Sequence, residues 1–206
     1  MRVLIVDDHP IVASGCRAVL SGELDIELLE AADAESGERA FTAERPDISV
    51  IDINLPTVSG FELVRRILSH APDARIIMFS MNDDPAFAAR AIDVGAKGYV
   101  SKTGDPCDLV EAIRKVGNGE TYLPAAIAQR IAFAGPAFAQ SPLSKLTSRE
   151  MEILRLLGAG KSLSEIAWLV QSSYKTVANT SSIMRHKLGV RSSVELVRLA
   201  IENGVA

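Results

Sequence analysis

The sequence has little cysteine, no long apolar run and no internal repeat. Cys16 and Cys107 stand far apart in 206 residues and in no metal-ligand spacing. That excludes a disulfide framework and suits a reducing, cytoplasmic setting with two free thiols. No apolar stretch approaches the roughly 18 residues that suggest a membrane span. The run Val3 to Val6 is cut short by Asp7 and Asp8, unlike a signal peptide. What remains is 48 % hydrophobic and 23 % charged, a composition ordinary for one or two soluble domains.

Positive charge is scarce in the first part and gathered in the second. Residues 1–122 hold 12 Lys+Arg against 21 Asp+Glu, a balance of −9; residues 123–206 hold 10 against 5, a balance of +5. An acidic part and a basic part predict two domains with different partners, and the basic one is the candidate for binding a polyanion.

The first part alternates short apolar runs with amphipathic segments. Residues 2–6, 26–31, 48–52, 75–79 and 98–100 read as strands, the second an edge strand by its alternation. His9-Pro10, Asp33, Ser59, Asp84-Pro85 and Asp105-Pro106 open the helices between and after them. Five βα units predict a doubly wound parallel sheet with helices on both faces, and the three most apolar runs should be its central strands. Residues 123–146 then mix alanine with Pro124, Gly135, Pro136 and Pro142, reading as a short helix followed by a tether. From Thr147 onward the pattern is helical. Thr147 with Glu150 and Ser162 with Glu165 both fit the capping box, and further helices run over 174–188 and 194–202. Met151, Ile153, Leu154, Leu156, Leu157, Val177, Met184, Leu188 and Trp168 are the expected core of this part.

Polar groups sit where strands end: Asp7-Asp8 after the first, Asp52 at the end of the third, Ser80 after the fourth, Lys102 after the fifth. In a parallel sheet these ends converge on one rim. Crowded carboxylates repel one another and suit a hard divalent cation such as Mg²⁺. A lysine beside them can neutralise a transferred phosphoryl group, and a hydroxyl can bond one of its oxygens. Each residue alone has a bland reading: a helix cap, a surface hydroxyl, a solvated charge. The order and placement of all four point to a phosphoryl-accepting site. His9 reads as a helix start rather than a ligand, His70 as a helix C-terminal residue, and His186 as exposed.

Carrying these residues, 1–120 resembles the receiver domain of two-component response regulators. The matching text is Val6-Asp7-Asp8-His9-Pro10, Asp52-Ile-Asn-Leu-Pro56 with Gly60, Ser80, and Gly95-Ala-Lys-Gly-Tyr-Val-Ser-Lys102. The resemblance implies a flavodoxin-like fold and Asp52 as phosphoacceptor. It makes Asp7, Asp8, Asp52 and the Asn54 carbonyl the Mg²⁺ site, Ser80 and Tyr99 the switch pair, and Lys102 the phosphoryl-binding cation. Residues 147–206 resemble the LuxR-type helix-turn-helix of the NarL/FixJ group, on Leu146-Thr-Ser-Arg-Glu150, Ile166-Ala167, Lys175-Thr-Val177 and Lys187-Leu-Gly-Val190. By that resemblance the helix from Tyr174 to Leu188 reads DNA, with Lys175, Thr176, Ala178, Asn179, Ser182, Arg185 and Lys187 as candidate contacts. Ala178 and Thr180 stand where the group often has a basic residue and a histidine.

Together these readings imply a phosphorylation-activated transcription regulator rather than an enzyme. Its expected partners are a sensor histidine kinase, promoter double-stranded DNA and, when phosphorylated, a second copy of itself. A switching face on the last two helices and strand of the receiver is expected to carry the signal. Two rivals fit parts of the pattern. A phosphatase working through an aspartyl-phosphate usually carries its nucleophile on the first strand, whereas Asp52 is on the third. A constitutive DNA-binding protein would have no use for the acidic set.

Overall fold

The computed structural model describes residues 1–81, 83, 85–134, 143, 146–170 and 172–202. It divides into two compact units, Met1–Ala139 and Gln140–Ala206. In the first, β1 (Arg2–Val6), β2 (Glu27–Ala31), β3 (Ile48–Asp52), β4 (Ile76–Ser80) and β5 (Gly98–Ser101) form one sheet in the order β2-β1-β3-β4-β5. Every pairing is parallel. β1, β3 and β4 are interior, as their unbroken apolar runs require, and β2 is an edge.

The helices are α1 (Pro10–Leu20), α2 (Ala34–Glu44), α3 (Gly60–His70), α4 (Pro85–Asp93) and α5 (Pro106–Gly117). Their starts follow local chemistry. Pro10 begins α1, where a missing N–H costs nothing. Asp33 and Ser36 cap α2 reciprocally, and the side chains of Ser59 and Asp105 accept backbone N–H groups of α3 and α5. Asp84, the expected opener of α4, lies outside the described residues, as does 135–142 of the tether. One face of the sheet packs Val3, Ile5, Val50, Ile77 and Val100 against Cys16 and Leu20 of α1 and Leu109, Ile113 and Val116 of α5. On the other face α2 packs against β1 and α3, close enough that a Cβ on Gly37 would meet Val6 at 2.9 Å.

The chain does not leave the first unit at α5. Tyr122 pairs with the free edge of β5, its N–H donating to the Lys97 carbonyl at 3.0 Å and its carbonyl accepting the Tyr99 N–H at 2.9 Å. A sixth helix, α6 (Ala125–Ala134), then lies against α4.

In the second unit, α7 (Ser148–Gly158), α8 (Leu163–Leu169), α9 (Tyr174–Leu188) and α10 (Ser193–Glu202) enclose a core of Met151, Ile153, Leu154, Ile166, Val177, Met184, Leu196 and Ala200. Both expected capping boxes are formed. Gly189, at φ +70°, ends α9 in the left-handed turn that only glycine adopts cheaply. Trp168 departs from expectation: its side chain is 80 % exposed. On the seven residues of α8 the inward positions are taken by Ile166 and Ala167, with Val170 just beyond, and position 168 falls outside.

Candidate functional site

The sheet order reverses direction between β1 and β3, and the crevice at such a switch point is where open α/β sheets bind ligands. Asp7 and Asp8 follow β1 there, and Asp52 ends β3. Asp7 and Asp52 are almost wholly buried, at 5 % and 1 % exposure. Lys102, delivered by the turn after β5, places Nζ 2.7 Å from Asp7 Oδ2 and 2.8 Å from Asp52 Oδ2. One ammonium thus serves two buried carboxylate oxygens. The second Asp52 oxygen accepts the Asn54 N–H at 3.0 Å. Burial raises the Asp52 carboxyl above the usual carboxylate range; Lys102 pulls the other way and does not prevail.

His9 joins this group more closely than its sequence role suggested. It is the N-cap residue of α1, but its side chain caps nothing. Nδ1 instead lies 3.2 Å from Asp7, 2.9 Å from Asp8 and 3.8 Å from Asp52. Asp7, Asp8, His9 and Asp52 offer ligand atoms within 4.8 Å of one another. Sequence alone could not separate this from helix capping, because both put a polar side chain before Pro10.

The loop after β3 is folded back tightly. A Cβ on Gly60 would fall 2.0 Å from the Asp52 carbonyl oxygen, so only glycine lets α3 start this close to the acceptor strand. Thr57 holds φ at +65°, a strained conformation for a β-branched residue, beside the same site. Ser80 and Tyr99 are fully buried on β4 and β5, and the Lys102 N–H donates to the Ser80 carbonyl at 2.7 Å. All the receiver residues singled out in the sequence therefore lie along one rim or one strand beside it.

The residues expected to meet DNA divide. Lys175, Thr176, Asn179 and Ser182 are exposed along α9, and Ala178 is half-buried. α9 carries no acidic residue. Arg185 is half-buried with Nε enclosed and unpaired. The Lys187 ammonium lies 2.8 Å from both carboxylate oxygens of Glu150. Glu150 is itself buried and also caps the Thr147 N–H at 2.7 Å. Lys187, a candidate DNA contact by resemblance, thus also bridges α7 and α9 within this unit. Both cysteines are free, Cys16 buried with its thiol pushed up to about 11 by burial, then by Asp7, and Cys107 exposed.

Both parts of the chain match known families. Residues 3–114 match the family model of the response regulator receiver domain, and residues 144–200 match that of the bacterial regulatory proteins of the luxR family. The chain belongs to the response regulators. It is 34 % identical over 199 residues to the methanol utilization control regulatory protein MoxX of Paracoccus denitrificans, covering 96 % of this chain and 89 % of that one. It is 33 % identical over 208 residues to the response regulator UvrY of Escherichia coli K12, covering 100 % and 95 %. Among solved structures, RcsB from Salmonella enterica serovar Typhimurium, bound to promoter P1flhDC with the phosphomimetic BeF3-, matches with TM-score 0.61 at 28 % identity over 97 % of each chain. A LuxR-family response regulator from Aurantimonas matches with TM-score 0.62 at 40 % identity, over 65 % of this chain and 96 % of that one. The regulator is accordingly a transcriptional response regulator built from a receiver and a LuxR-type helix-turn-helix. No described helix is long and apolar enough to cross a membrane.

Proposed function

We propose that Asp52 accepts a phosphoryl group from a phosphohistidine of a partner sensor kinase. One carboxylate oxygen attacks phosphorus, a P–O bond forms, and the P–N bond to the donor breaks. The departing imidazole nitrogen takes up a proton. The observation that carries this reading is the burial of Asp52 beside Lys102 and Asp7 at the switch point of the sheet. Such transfers need positioning and charge stabilisation more than covalent help from the protein. Lys102 supplies a fixed cation at the acceptor oxygen. Gly60 permits the close approach of α3 to the end of the acceptor strand. Ser80 bonds a phosphoryl oxygen once it arrives, and Tyr99, buried on the neighbouring strand, is the other member of the switch pair.

The donor set fits a hard cation: three carboxylates close together, two of them buried and sharing a single ammonium. Asp7, Asp8, Asp52 and the Asn54 carbonyl would hold Mg²⁺, with His9 beside them. Bound there, Mg²⁺ offsets the negative charge of the carboxylates and the incoming phosphoryl oxygens. The chain turns over no substrate in this reading; the phosphoryl group is a signal.

The phosphoryl group adds a charge of about −1.5 to −2, which biases an existing equilibrium of the receiver. The active form pairs with a second copy and binds promoter DNA in the cytoplasm. Functional boundaries of 1–120 for the receiver, 121–146 for the linker and 147–206 for the DNA-binding domain serve this reading. Lys175, Thr176, Ala178, Asn179, Ser182 and Arg185 form the DNA-facing set. The test is mass mapping after incubation with acetyl phosphate and Mg²⁺. One adduct on the peptide containing Asp52, labile to base and to hydroxylamine as an acyl phosphate is, is expected, and an adduct elsewhere would displace Asp52 from the role.

A further inference from the structure

The segment after α5 is fastened to the receiver at both ends, and both fastenings reach the residues that would sense phosphorylation. The first is Tyr122. Two backbone hydrogen bonds add it to the edge of β5, directly beside Tyr99. Its ring is buried within the core under α5, and that burial, ahead of Asp108 and Glu111, pushes its hydroxyl up to about 12. The second is Arg130 on α6. Its guanidinium Nη1 donates to the Asp83 carbonyl at 3.2 Å, in the loop between β4 and α4. Between them Ile127, at 4 % exposure, seats α6, which lies against α4.

Asp83 is held from the other side as well. Thr103 Oγ1 donates to Asp83 Oδ2 at 3.3 Å, and Thr103 Oγ1 and Ser101 Oγ are 2.9 Å apart. Lys102 lies between those two residues and donates its N–H to the Ser80 carbonyl. Asp83 is therefore gripped by the turn that carries Lys102 and by α6, three residues beyond Ser80. A phosphoryl group that draws Ser80 and Lys102 inward pulls on both segments that position Asp83.

We propose that Tyr122 to Arg130 is the output strap of the receiver. Arg130 latches it to the Asp83 carbonyl before phosphorylation and lets go of it afterwards. The proposal rests on the reading of Asp52, Ser80 and Lys102 given above. The two anchors differ in the way such a device needs. Tyr122 is buried and doubly bonded through its backbone, so it stays as the pivot. Among the described residues Arg130 makes one solvent-exposed hydrogen bond, strong enough to bias a population and weak enough to be overridden by a phosphoryl charge. The strap also packs on α4 and the edge of β5, part of the face expected from the sequence to carry the signal.

Coupling of this kind is reciprocal: whatever breaks the latch must shift the chain toward its activated form. The experiment uses the full-length protein with Mg²⁺, with and without beryllofluoride, as parent, Arg130→Ala and Arg130→Lys. Hydrogen exchange reads α6 and the loop after β3, and fluorescence anisotropy reads binding of a labelled mixed-sequence duplex. In the parent, beryllofluoride should protect the loop after β3 and speed exchange in α6. Arg130→Ala without beryllofluoride should already show fast α6 exchange and bind the duplex roughly 3- to 10-fold more tightly than the parent. Arg130→Lys, which keeps one donor, should fall between. If the loop after β3 is protected but α6 exchanges alike in parent and Arg130→Ala, with duplex affinity unchanged, the latch is wrong. If that loop is never protected, the phosphoacceptor reading fails and the latch with it.

Discussion

The rim of the receiver sheet and the exposed face of α9 are held in place in opposite ways. At the rim each residue answers to several others: Asp52 is buried against Lys102 and Asp7, its second oxygen takes the Asn54 N–H, and Gly60 touches its carbonyl. On α9 Lys175, Thr176, Asn179 and Ser182 touch solvent, and the structure asks little of them beyond helix. Chemistry shared across a fold needs such over-determination, because a shift of an ångström in the acceptor costs the reaction. Sequence-specific recognition needs the reverse, a surface free to vary without unfolding the domain. Substitutions at the rim should therefore alter both activity and stability, whereas those on the DNA-facing side of α9 should alter binding alone.

The largest expected effect is at the acceptor. Asp52→Asn keeps the shape and the Asn54 N–H contact but replaces the nucleophile with an amide. Phosphorylation by acetyl phosphate should vanish by mass spectrometry, and a stoichiometric adduct on the variant would refute the assignment. Lys102→Ala should come next. It leaves Asp7 and Asp52 buried without their cation, and breaking a buried pair from one side costs about 3–5 kcal/mol. Urea denaturation should show a loss of that order without divalent cation. Added Mg²⁺ should restore part of it, because the same carboxylates gain a counter-charge. A variant as stable as the parent in chelator would mean that the rim relaxes freely.

The rim was legible in the sequence for a physical reason. Strand ends in a parallel sheet converge, so a residue's place along an apolar run fixes its place in space, and Asp7, Asp52, Ser80 and Lys102 could be brought together from periodicity alone. What escaped lacked such a rule. Tyr122 follows Gly119, Glu120 and Thr121, and nothing local marks it as an edge addition to β5. Arg130 reaches a backbone carbonyl, which leaves no trace in composition. Lys187 lies in a basic stretch that suggests phosphate, while its partner Glu150 is 37 positions away and already accounted for as a helix cap. The short helix after Pro124 was visible, but not that it would lie against α4.

Smaller effects separate the two uses of lysine on α9. Lys187→Ala should destabilise the DNA-binding unit by about 1–2 kcal/mol, because it strips the buried Glu150 of its cation. The salt dependence of DNA binding should be unchanged. Lys175→Ala, fully on the exposed face, should leave stability alone and flatten the salt slope by roughly one. Asn179→Ala should cost about 1–3 kcal/mol of binding and relax preference at one base pair per half-site, as expected for an amide matched to adenine. Binding to single-base variants of a recovered promoter site at several salt concentrations measures all three. Equal slopes for the two lysine variants would return Lys187 to the DNA face.

The smallest effect tests Trp168. A tryptophan in a core loses about 3–5 kcal/mol on truncation to alanine, through lost transfer energy and the cavity left behind. Trp168 is 80 % exposed, and its α8 neighbours Ile166 and Ala167, together with Val170, already fill the inward positions. Its truncation therefore removes little buried surface and opens no cavity. Trp168→Ala should change stability by less than about 0.5 kcal/mol, the range of ordinary surface substitutions. Because Trp168 is the only tryptophan, the parent's emission reports this one side chain. It should be that of a water-exposed indole, quenched by iodide in the folded protein nearly as well as in urea. A blue-shifted, iodide-resistant emission together with a loss of several kcal/mol on truncation would place the indole inside, and α8 would then be turned about its axis from the orientation seen here.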